Sequence, residues 1–570
     1  MGDQKNLILA IVLSVGIIVI FQFLFPQQYM TPPPSEKIHE IENATSINDT
    51  KKIEKNNIIS KEEVINQTKR IAVKTPSLTG SINLKGAILD DLILSKYKES
   101  LDENSKSINL FSPEQTSNPY FVEIGWGKIS NNSFDVELPN SNTEWISNRI
   151  NLTPESPITL EWTNKQNITF KIHYEVDNNY LFNITQEIEN NSTNDIEIFP
   201  YRLIKRINFP KTINFFILHE GLISVLDEEL IEKKYDKLVD DCSILKDKKD
   251  YCFKKNIEGG WFGFTDKYWM STLIPDQKEN INVDFIHNKN NRDIFKVGYA
   301  GNNITIKKNS INTYSGKLFA GAKVLKILNQ YQKEFNIPRF NDAIDWGWFS
   351  FLTKPIFYAI NWFYGLIKNF GLAIVAFTFI MRLILFPLAH TSFKSMAKMK
   401  KLQPEMQRLK ETYPNDRQKM QQELMTLYKR EGANPVAGCL PILVQIPIFF
   451  SLYKVLFVTI EMYHAPFYGW IHDLSAPDPL GILTAFGLIK WNVPNILSIA
   501  NIGILPILMG FTMWLQQKLN PAPTDPTQAK IFAVLPFVFT FILAGFAAGL
   551  VLYWTVNNIL SIAQQWLIQR

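Results

Sequence analysis

Long apolar stretches without charged residues are the feature that most restricts how this chain can fold. Leu7 to Phe25 contains nineteen uncharged residues, enough for a helix to cross about 30 Å of hydrocarbon. After a polar region of more than 300 residues, further apolar runs follow at about 360–388, 436–458, 496–515 and 531–567. This distribution predicts a polytopic α-helical membrane protein rather than an ordinary cytosolic enzyme.

The number of membrane-spanning helices follows from the lengths of these runs. The last run, about 37 residues, must hold two helices, and its only plausible tight turn lies at Gly545–Gly549. We therefore predict six spans. We interpret residues 1–26 as an uncleaved anchor rather than a signal peptide, because no small-residue cleavage site follows Phe25. The run Leu480 to Leu488 is too short to span and predicts a re-entrant or interfacial piece.

The charges of the short loops predict the orientation. Between His390 and Gly432 there are ten Lys or Arg residues against five acidic ones, whereas Thr459 to Asn495 contains one Lys and three acidic residues. By the positive-inside rule the first loop is cytoplasmic and the second lies outside. Six crossings then place the N-terminus and the C-terminus in the cytoplasm and the large polar region outside the membrane.

The polar region divides into a linker and a β domain. Residues 27–70 are rich in Pro, Asn, Lys and Glu and predict a flexible linker. Over 71–335, short β-prone runs alternate with Asn, Ser, Pro and Gly clusters, which predicts a large antiparallel β-sandwich. Cys242 and Cys252 are compatible either with a disulfide or with free thiols.

Residues 336–358 predict an amphipathic helix in the membrane interface, because Trp346, Trp348, Phe349 and Phe351 precede the next span. The alternative is that this segment simply extends that span. The remainder, 359–570, is the five-helix core, including a cytoplasmic helical hairpin at 390–432. The apolar residues of each hairpin arm recur every three or four positions and predict one helix face per arm. We interpret five basic residues as hairpin contacts for ribosomes, signal peptides or anionic lipid, namely Lys394, Lys398, Lys400, Lys401 and Arg408.

Arg382 is the candidate functional centre. It is the only charged residue between Lys368 and Lys394, within an apolar run, where an ionised side chain is costly unless it faces protein or water. The alternative is that it snorkels to the cytoplasmic interface. Thr378 lies one turn earlier on the same face. Four further polar residues could face this stripe from other spans, namely Gln445 and, on one face of the last span, Tyr553, Asn557 and Ser561.

Composition and motifs exclude several classes of function. A formal net charge of +5 on 570 residues is too dilute for a nucleic-acid binder. The sequence has no phosphate-binding loop, no His-Glu-x-x-His pair and no Gly-x-Ser-x-Gly elbow. Three cysteines are too few for a zinc site. The sequence therefore predicts no enzyme, no metal and no cofactor.

Several blocks of sequence, taken together, resemble a known family. They are Thr378–Pro387, Ser395–Met399, Asn434–Pro435, Gln445–Phe449, Trp470–Ser475 and Gly549–Trp554. In this order they resemble the YidC membrane protein insertases of Gram-negative bacteria, densely over about 335–570. The segment Leu480–Gly503 departs from that pattern as an insertion.

The resemblance implies a periplasmic β-supersandwich and a five-helix core whose hydrophilic groove is centred on Arg382, with Thr378, Gln445, Tyr553 and Trp554 on or near its wall. It also implies a bacterial inner-membrane location. The expected partners are nascent membrane proteins, the lipid bilayer, the Sec translocon, the ribosome and the signal recognition particle pathway. The sequence thus predicts an insertase and folding chaperone, the alternatives being a solute transporter or channel, or a membrane-tethered exterior binding protein.

Overall fold

The computed structural model describes residues 58–128, 135–213, 218–244, 251–290, 292–414, 416–433, 440–489, 491, 493–494, 497, 500–520 and 526–569. The predicted anchor and most of the predicted linker lie outside these ranges. The described residues form two compact units. One contains 58–350 together with Phe457–His464, and the other contains 351–456 together with 465–569. Each unit is described by itself.

The first unit is built mainly from β-strands. Its described strands are β1 (Arg70–Lys74), β2 (Leu78–Asn83), β3 (Ile88–Lys98), β4 (Ser107–Phe111), β5 (Tyr120–Lys128), β6 (Ile146–Ser147), β7 (Asn151–Leu152), β8 (Ile158–Thr163), β9 (Ile168–Val176), β10 (Leu181–Asn190), β11 (Ile196–Ile207), β12 (Gly221–Leu226), β13 (Glu229–Lys234), β14 (Tyr251–Glu258), β15 (Trp261–Thr265), β16 (Trp269–Pro275), β17 (Asn280–Asn290), β18 (Arg292–Ala300), β19 (Ile304–Ile306) and β20 (Ser310–Ala322). Three helices accompany them, namely α1 (Lys61–Asn66), α2 (Tyr235–Ile244) and α3 (Leu325–Glu334).

Within the described ranges the strands make two sheets. An eleven-stranded sheet has the order β14-β17-β18-β11-β5-β3-β2-β1-β7, with β19 beside β11 and β4 beside β3. A nine-stranded sheet has the order β13-β12-β15-β16-β20-β10-β9-β8-β6. Among the described pairs only β1 and β7 run parallel, over two residue pairs. The predicted antiparallel sandwich is therefore correct in type.

The two sheets face each other across a core of alternate strand residues. Alternation along β9 and β10 buries every second side chain, which is the pattern of a sheet with one covered face. The fully buried Arg202 of β11 crosses to the other sheet. Its Nε donates to Gln186 Oε1 at 3.0 Å, and its Nη2 donates to the backbone carbonyls of Ile184 and Tyr314 at 2.9 and 3.3 Å. The core thus has a polar link between its layers.

The β unit extends beyond its predicted bounds at both ends. The prediction of a flexible linker over 27–70 was wrong for its last residues. Helix α1 begins there with a capping box between Ser60 and Glu63, and its Val64 is buried. At the other end, Trp346 was predicted to lie in the membrane interface. Its indole is instead buried and donates to the carbonyl of Asn341 at 3.1 Å. A disulfide joins Cys242 and Cys252.

The second unit is helical. Its described helices are α4 (Ser350–Ile367), α5 (Phe370–Ile384), α6 (Phe386–Lys401), α7 (Gln403–Thr412), α8 (Arg417–Arg430), α9 (Leu440–Val458), α10 (Ile504–Leu519), α11 (Pro526–Ala544) and α12 (Ala548–Gln569). The last residues of α9, from Phe457, belong to the β unit. Helices α11 and α12 confirm that the last apolar run is two helices, with the break between Ala544 and Ala548.

The predicted boundary between the interfacial helix and the next span was wrong. Helix α4 runs to Ile367 instead of ending near 358, so the predicted span 360–388 begins inside it. Helix α5 begins separately, because the side chain of Asn369 caps it by accepting the backbone N–H of Leu372 at 3.0 Å. Helix α4 exposes an apolar face that includes Phe351 and Trp362, at 73% and 63% exposure. That face suits a membrane interface.

Among the described helices, none taken singly is both long and apolar enough to cross a membrane. The pair α5 and α6 meets the length and composition required for crossing, with a bend of 66° between the two helices. The predicted span near 496–515 is shifted, since α10 runs from Ile504 to Leu519. The short run Leu480–Leu488 contains one 3-10 turn at Ile482–Thr484, and Leu488 is 88% exposed.

Candidate functional site

Arg382 lies in the last turn of α5 and is held by α12. Its Nε donates to Asn557 Oδ1 at 2.8 Å, and its Nη2 donates to the backbone carbonyl of Asn557 at 3.1 Å. Nη2 also donates to Ser561 Oγ. Only 9% of the side chain is exposed. A cation in the last turn of a helix is also favoured by the free carbonyl ends of that helix.

All three acceptors of the guanidinium are neutral. An amide oxygen, a backbone carbonyl and a hydroxyl replace part of the water that burial removes, but they do not cancel the charge. Among the residues that the structure describes, no carboxylate forms an ion pair with Arg382. The site therefore retains a net positive charge.

The local sequence explains why α12 can supply these acceptors. Asn557 and Ser561 are four residues apart, so they lie one above the other on a single helix face. The hydroxyl of Ser561 donates to the Asn557 carbonyl at 2.7 Å, which fixes its oxygen toward the arginine. Helix α12 is buried along this face. Two positions on one helix thus set the direction of the guanidinium.

Arg382 lines a small, open-sided recess between the helices. The lining residues come from α5, α9 and α12, with Leu385 just beyond the end of α5, and they are Thr378, Met381, Arg382, Leu385, Gln445, Ile448, Tyr553 and Asn557. The structure therefore brings together Arg382 and four of the other residues that the sequence singled out. The polar side chains of the recess lie beside apolar ones, which suits a guest segment that contains both polar and apolar residues.

The polar wall of the recess is partly connected. Gln445 Nε2 donates to the hydroxyl of Tyr553 at 3.4 Å, which links α9 to α12. The hydroxyl of Thr378 donates to the carbonyl of Ile374 at 2.7 Å, so its oxygen keeps accepting capacity. Both Thr378 and Tyr553 are buried. These groups can accept or donate single hydrogen bonds.

Trp554 lies apart from the recess. Its ring packs against Phe449 and Phe539, with centroid separations of 4.7 and 5.6 Å. The sequence reasoning missed the apolar lining residues Met381, Leu385 and Ile448. Their signal was present, because Met381 and Leu385 lie within three residues of Arg382 and Ile448 lies three residues after Gln445. No three His, Cys, Asp or Glu side chains in the described ranges are grouped to hold a metal ion.

The five predicted basic contacts are exposed on α6 and α7. Most point into solvent, and Lys398 Nζ also donates to the carbonyl of Gly432 at 3.3 Å. Four of these residues lie on α6, and Arg408 lies on α7. Among the described residues no carboxylate forms an ion pair with the basic side chains of α6, whose last turn carries Lys398, Lys400 and Lys401.

The predicted hairpin has two apolar clusters rather than one long face. The hairpin proper packs Met406 of α7 against Leu424 and Leu427 of α8. Phe393 and Met396 of α6 belong to a separate cluster with Ala389 and with Ile568 of α12. The prediction of a single helix face for the first arm was wrong, because α6 ends at Lys401 and a new helix begins at Gln403 with Pro404 in its first turn.

Comparison with known proteins assigns the chain to a family. Residues 70–359 match the family described as YidC periplasmic domain, and residues 362–570 match the family described as 60Kd inner membrane protein. A membrane protein insertase YidC of Granulibacter bethesdensis is 44% identical over 571 residues, covering 100% of this chain and 98% of that protein. The chain belongs to the YidC membrane protein insertase family.

Other relatives agree with this assignment. A membrane protein insertase YidC of Rickettsia bellii is 45% identical, covering 99% of this chain and 98% of that protein. A crystal structure of an active YidC insertase, with its first transmembrane domain resolved, covers 98% of both chains at 18% identity and a TM-score of 0.35. The assignment rests on the sequence relatives.

Membership of the YidC family confirms the broad predictions made from the motifs. The chain is a membrane protein insertase rather than an enzyme, and it is an inner-membrane protein with a periplasmic domain rich in antiparallel sheet. The alternative of a solute transporter or channel is not favoured by this family.

Proposed function

We propose that the recess around Arg382 is the groove through which this insertase receives the polar part of an incoming membrane protein. A short polar or acidic segment of the substrate enters the recess, and Arg382 and its neighbours replace part of the hydration that this segment loses. The observation that carries the proposal is a buried guanidinium whose described partners are all neutral. Such a group attracts a negative charge brought by a guest.

The apolar part of the substrate supplies the driving force. Burial of apolar surface in lipid is worth about 25 cal/mol per Å², so a segment of about twenty apolar residues releases ample free energy. The costly step is moving polar groups through hydrocarbon without hydrogen-bond partners. A recess that offers Thr378, Gln445 and Tyr553 as single partners lowers that barrier. No hydrolysis of ATP is required in this scheme.

The proposed layout has six spans, namely an anchor at 1–26 and five in the core, with both termini in the cytoplasm. The excess of Lys and Arg over residues 390–432 supports a cytoplasmic location for α6, α7 and α8. Their exposed basic side chains suit anionic lipid and ribosomal surfaces. We propose nascent membrane proteins, the ribosome, the signal recognition particle pathway and the Sec translocon as partners, and helix α4 as the interfacial element.

Charge reversal at Arg382 tests the groove directly. The purified chain is reconstituted in proteoliposomes and scored for insertion of a single-span substrate with one acidic residue in its translocated segment. Arg382→Glu is expected to reduce insertion at least about tenfold, since like charges now oppose each other across the recess, and Arg382→Ala is expected to reduce it less. Lys429→Glu serves as the control, because it reverses an exposed charge of α8. Wild-type insertion by Arg382→Glu would refute the groove.

A further inference from the structure

The hydrogen bonds of Arg382 leave only part of its guanidinium available. Nε has one N–H, which points to Asn557 Oδ1. Nη2 has two N–H groups, and the Asn557 carbonyl and the Ser561 hydroxyl accept them. Across the described part of the chain, no hydrogen bond is made by Nη1. The guanidinium is therefore occupied along one edge and open at one nitrogen.

This occupancy determines how a substrate can be held. A carboxylate binds a guanidinium most strongly through two parallel N–H donors. The two adjacent donor pairs are Nε with Nη2 and Nη1 with Nη2. Both pairs include Nη2, whose hydrogens are already donated to α12. A guest carboxylate at this site has a single nitrogen, Nη1, to bind.

We propose that Asn557 and Ser561 are positioning residues that prevent two-point binding at Arg382, so that the groove holds polar groups of substrate by one releasable contact. The inference rests on the proposed function of the recess, and it specifies how many hydrogen bonds a polar group of the substrate accepts from Arg382. The single nitrogen can donate to a carboxylate, to an amide oxygen or to a backbone carbonyl, and a carboxylate lacks the second parallel hydrogen bond that would hold it most strongly. Loss of the second contact therefore reduces the advantage of an acidic segment over a neutral polar one, and it lets the guest leave for the lipid.

The geometry on α12 is suited to this role. Ser561 and the backbone carbonyl of Asn557 engage the same nitrogen, while the Asn557 side chain engages Nε. Neutral acceptors hold the guanidinium without neutralising it. A carboxylate at either position would hold it more tightly but would cancel the charge that the substrate is meant to meet.

The test measures release rather than insertion. The full chain in lipid nanodiscs is loaded with a fluorescent peptide that carries about ten apolar residues, too few to span the bilayer, and a polar segment containing either one Asp or one Asn. Dissociation rates of the two peptides are compared. In the double variant Asn557→Leu/Ser561→Ala, Nε and one N–H of Nη2 are freed, and two-point binding becomes possible.

We expect the double variant to release the Asp peptide about tenfold more slowly than wild type, the effect of one additional charge-assisted hydrogen bond. Release of the Asn peptide changes little. The control Asn558→Leu/Thr555→Ala also removes one amide and one hydroxyl from α12, but Asn558 bonds to Thr512 and Thr555 to the Val551 carbonyl. It should leave the ratio of the two rates unchanged.

Unchanged release of the Asp peptide in the double variant, or an equal change in the control, would overturn the inference. Should the double variant fail to fold, Ser561→Ala alone frees one Nη2 donor, and about a threefold slowing is expected. Adding Arg382→Ala to either variant should abolish the difference between the peptides. If Arg382→Ala by itself leaves substrate insertion intact, the proposed function fails, which is a separate result from a fault in the positioning.

Discussion

The buried carboxyl of Asp284 gives the sharpest prediction about stability. Asp284 lies within β17, between Lys254 of β14 and Gly298 of β18 in the register of the sheet. Only 3% of the residue is exposed, and neither carboxyl oxygen has a hydrogen-bond partner among the described residues. Burial raises its pKa from the ordinary 3.8 to about 7, and the charge of Lys254 offsets this only in part.

The sign of the effect follows from proton binding. Because the pKa of Asp284 is raised in the folded state, the folded protein binds a proton at this carboxyl more tightly than the unfolded chain does. The stability that this proton contributes is fully present below the ordinary pKa of 3.8, and it is lost as the pH rises through about 7. A pKa difference of about three corresponds to about 4 kcal/mol of folding free energy at pH 8. The replacement Asp284→Asn removes the ionisation. After allowing for the new buried amide hydrogens, we expect a gain of about 2 kcal/mol.

Thermal unfolding of the full chain in detergent micelles, followed by far-ultraviolet circular dichroism of the β-sheet, tests this expectation. Asp284→Asn should raise the Tm of the β unit by about 4–8 °C at pH 8. At about pH 4.5 the folded carboxyl is protonated, so most of the gain is lost while the cost of the amide hydrogens remains, and the variant should be slightly less stable than wild type. Glu99→Gln removes an exposed carboxylate and should change little at either pH. An equal Tm difference at both pH values, or a loss of stability at pH 8, would refute the reasoning.

Two further predictions concern other parts of the chain. Gly371→Ala should destabilise the helical unit by about 1–3 kcal/mol, because a Cβ there would lie 2.0 Å from the ring of Phe467. A Cβ at Gly365 meets nothing within 4 Å, so Gly365→Ala should be neutral or stabilising. Thermal unfolding of the two variants tests this difference, and equal losses of stability would contradict the packing argument. The Cys242–Cys252 disulfide closes a separation of ten residues and should contribute about 2–3 kcal/mol to stability, so Cys252→Ser should lower the Tm of the β unit. Alkylation of the wild-type protein, denatured without reduction, should label one thiol instead of three.

Periodicity and turn residues were sufficient to predict the class of each unit. Alternation of apolar residues along β9 and β10 is a local pattern, and a half-buried strand follows from it directly. The break at Gly545–Ala547 was equally local. The order of the strands was not, because β11 pairs with β5 and β18, which are far away in sequence. Those pairings depend on the whole core and leave no signature in any short window.

The errors at the ends of helices have identifiable causes. Only Lys368 and Asn369 interrupt the apolar composition between α4 and α5, so hydropathy alone joined the two helices, although Asn369 is a recognisable cap for the second one. Trp346 was assigned to the membrane because indole rings prefer the interface, yet its N–H had a carbonyl partner within the β unit. In both cases the residue type was informative, but the sequence does not show which group lies next to that residue in the folded protein.

The arginine site shows the same division between what a sequence carries and what packing adds. The spacing of Asn557 and Ser561 on one helix face is readable from the chain, and so is the isolation of Arg382 within an apolar run. Which nitrogen each acceptor engages depends on how α5 and α12 pack. A carboxylate at 557 or 561 would pair with the arginine and remove the free charge that a substrate could meet. Neutral acceptors compensate less well than a carboxylate for the hydration that the guanidinium loses on burial. They leave the guanidinium its positive charge and one nitrogen free to donate.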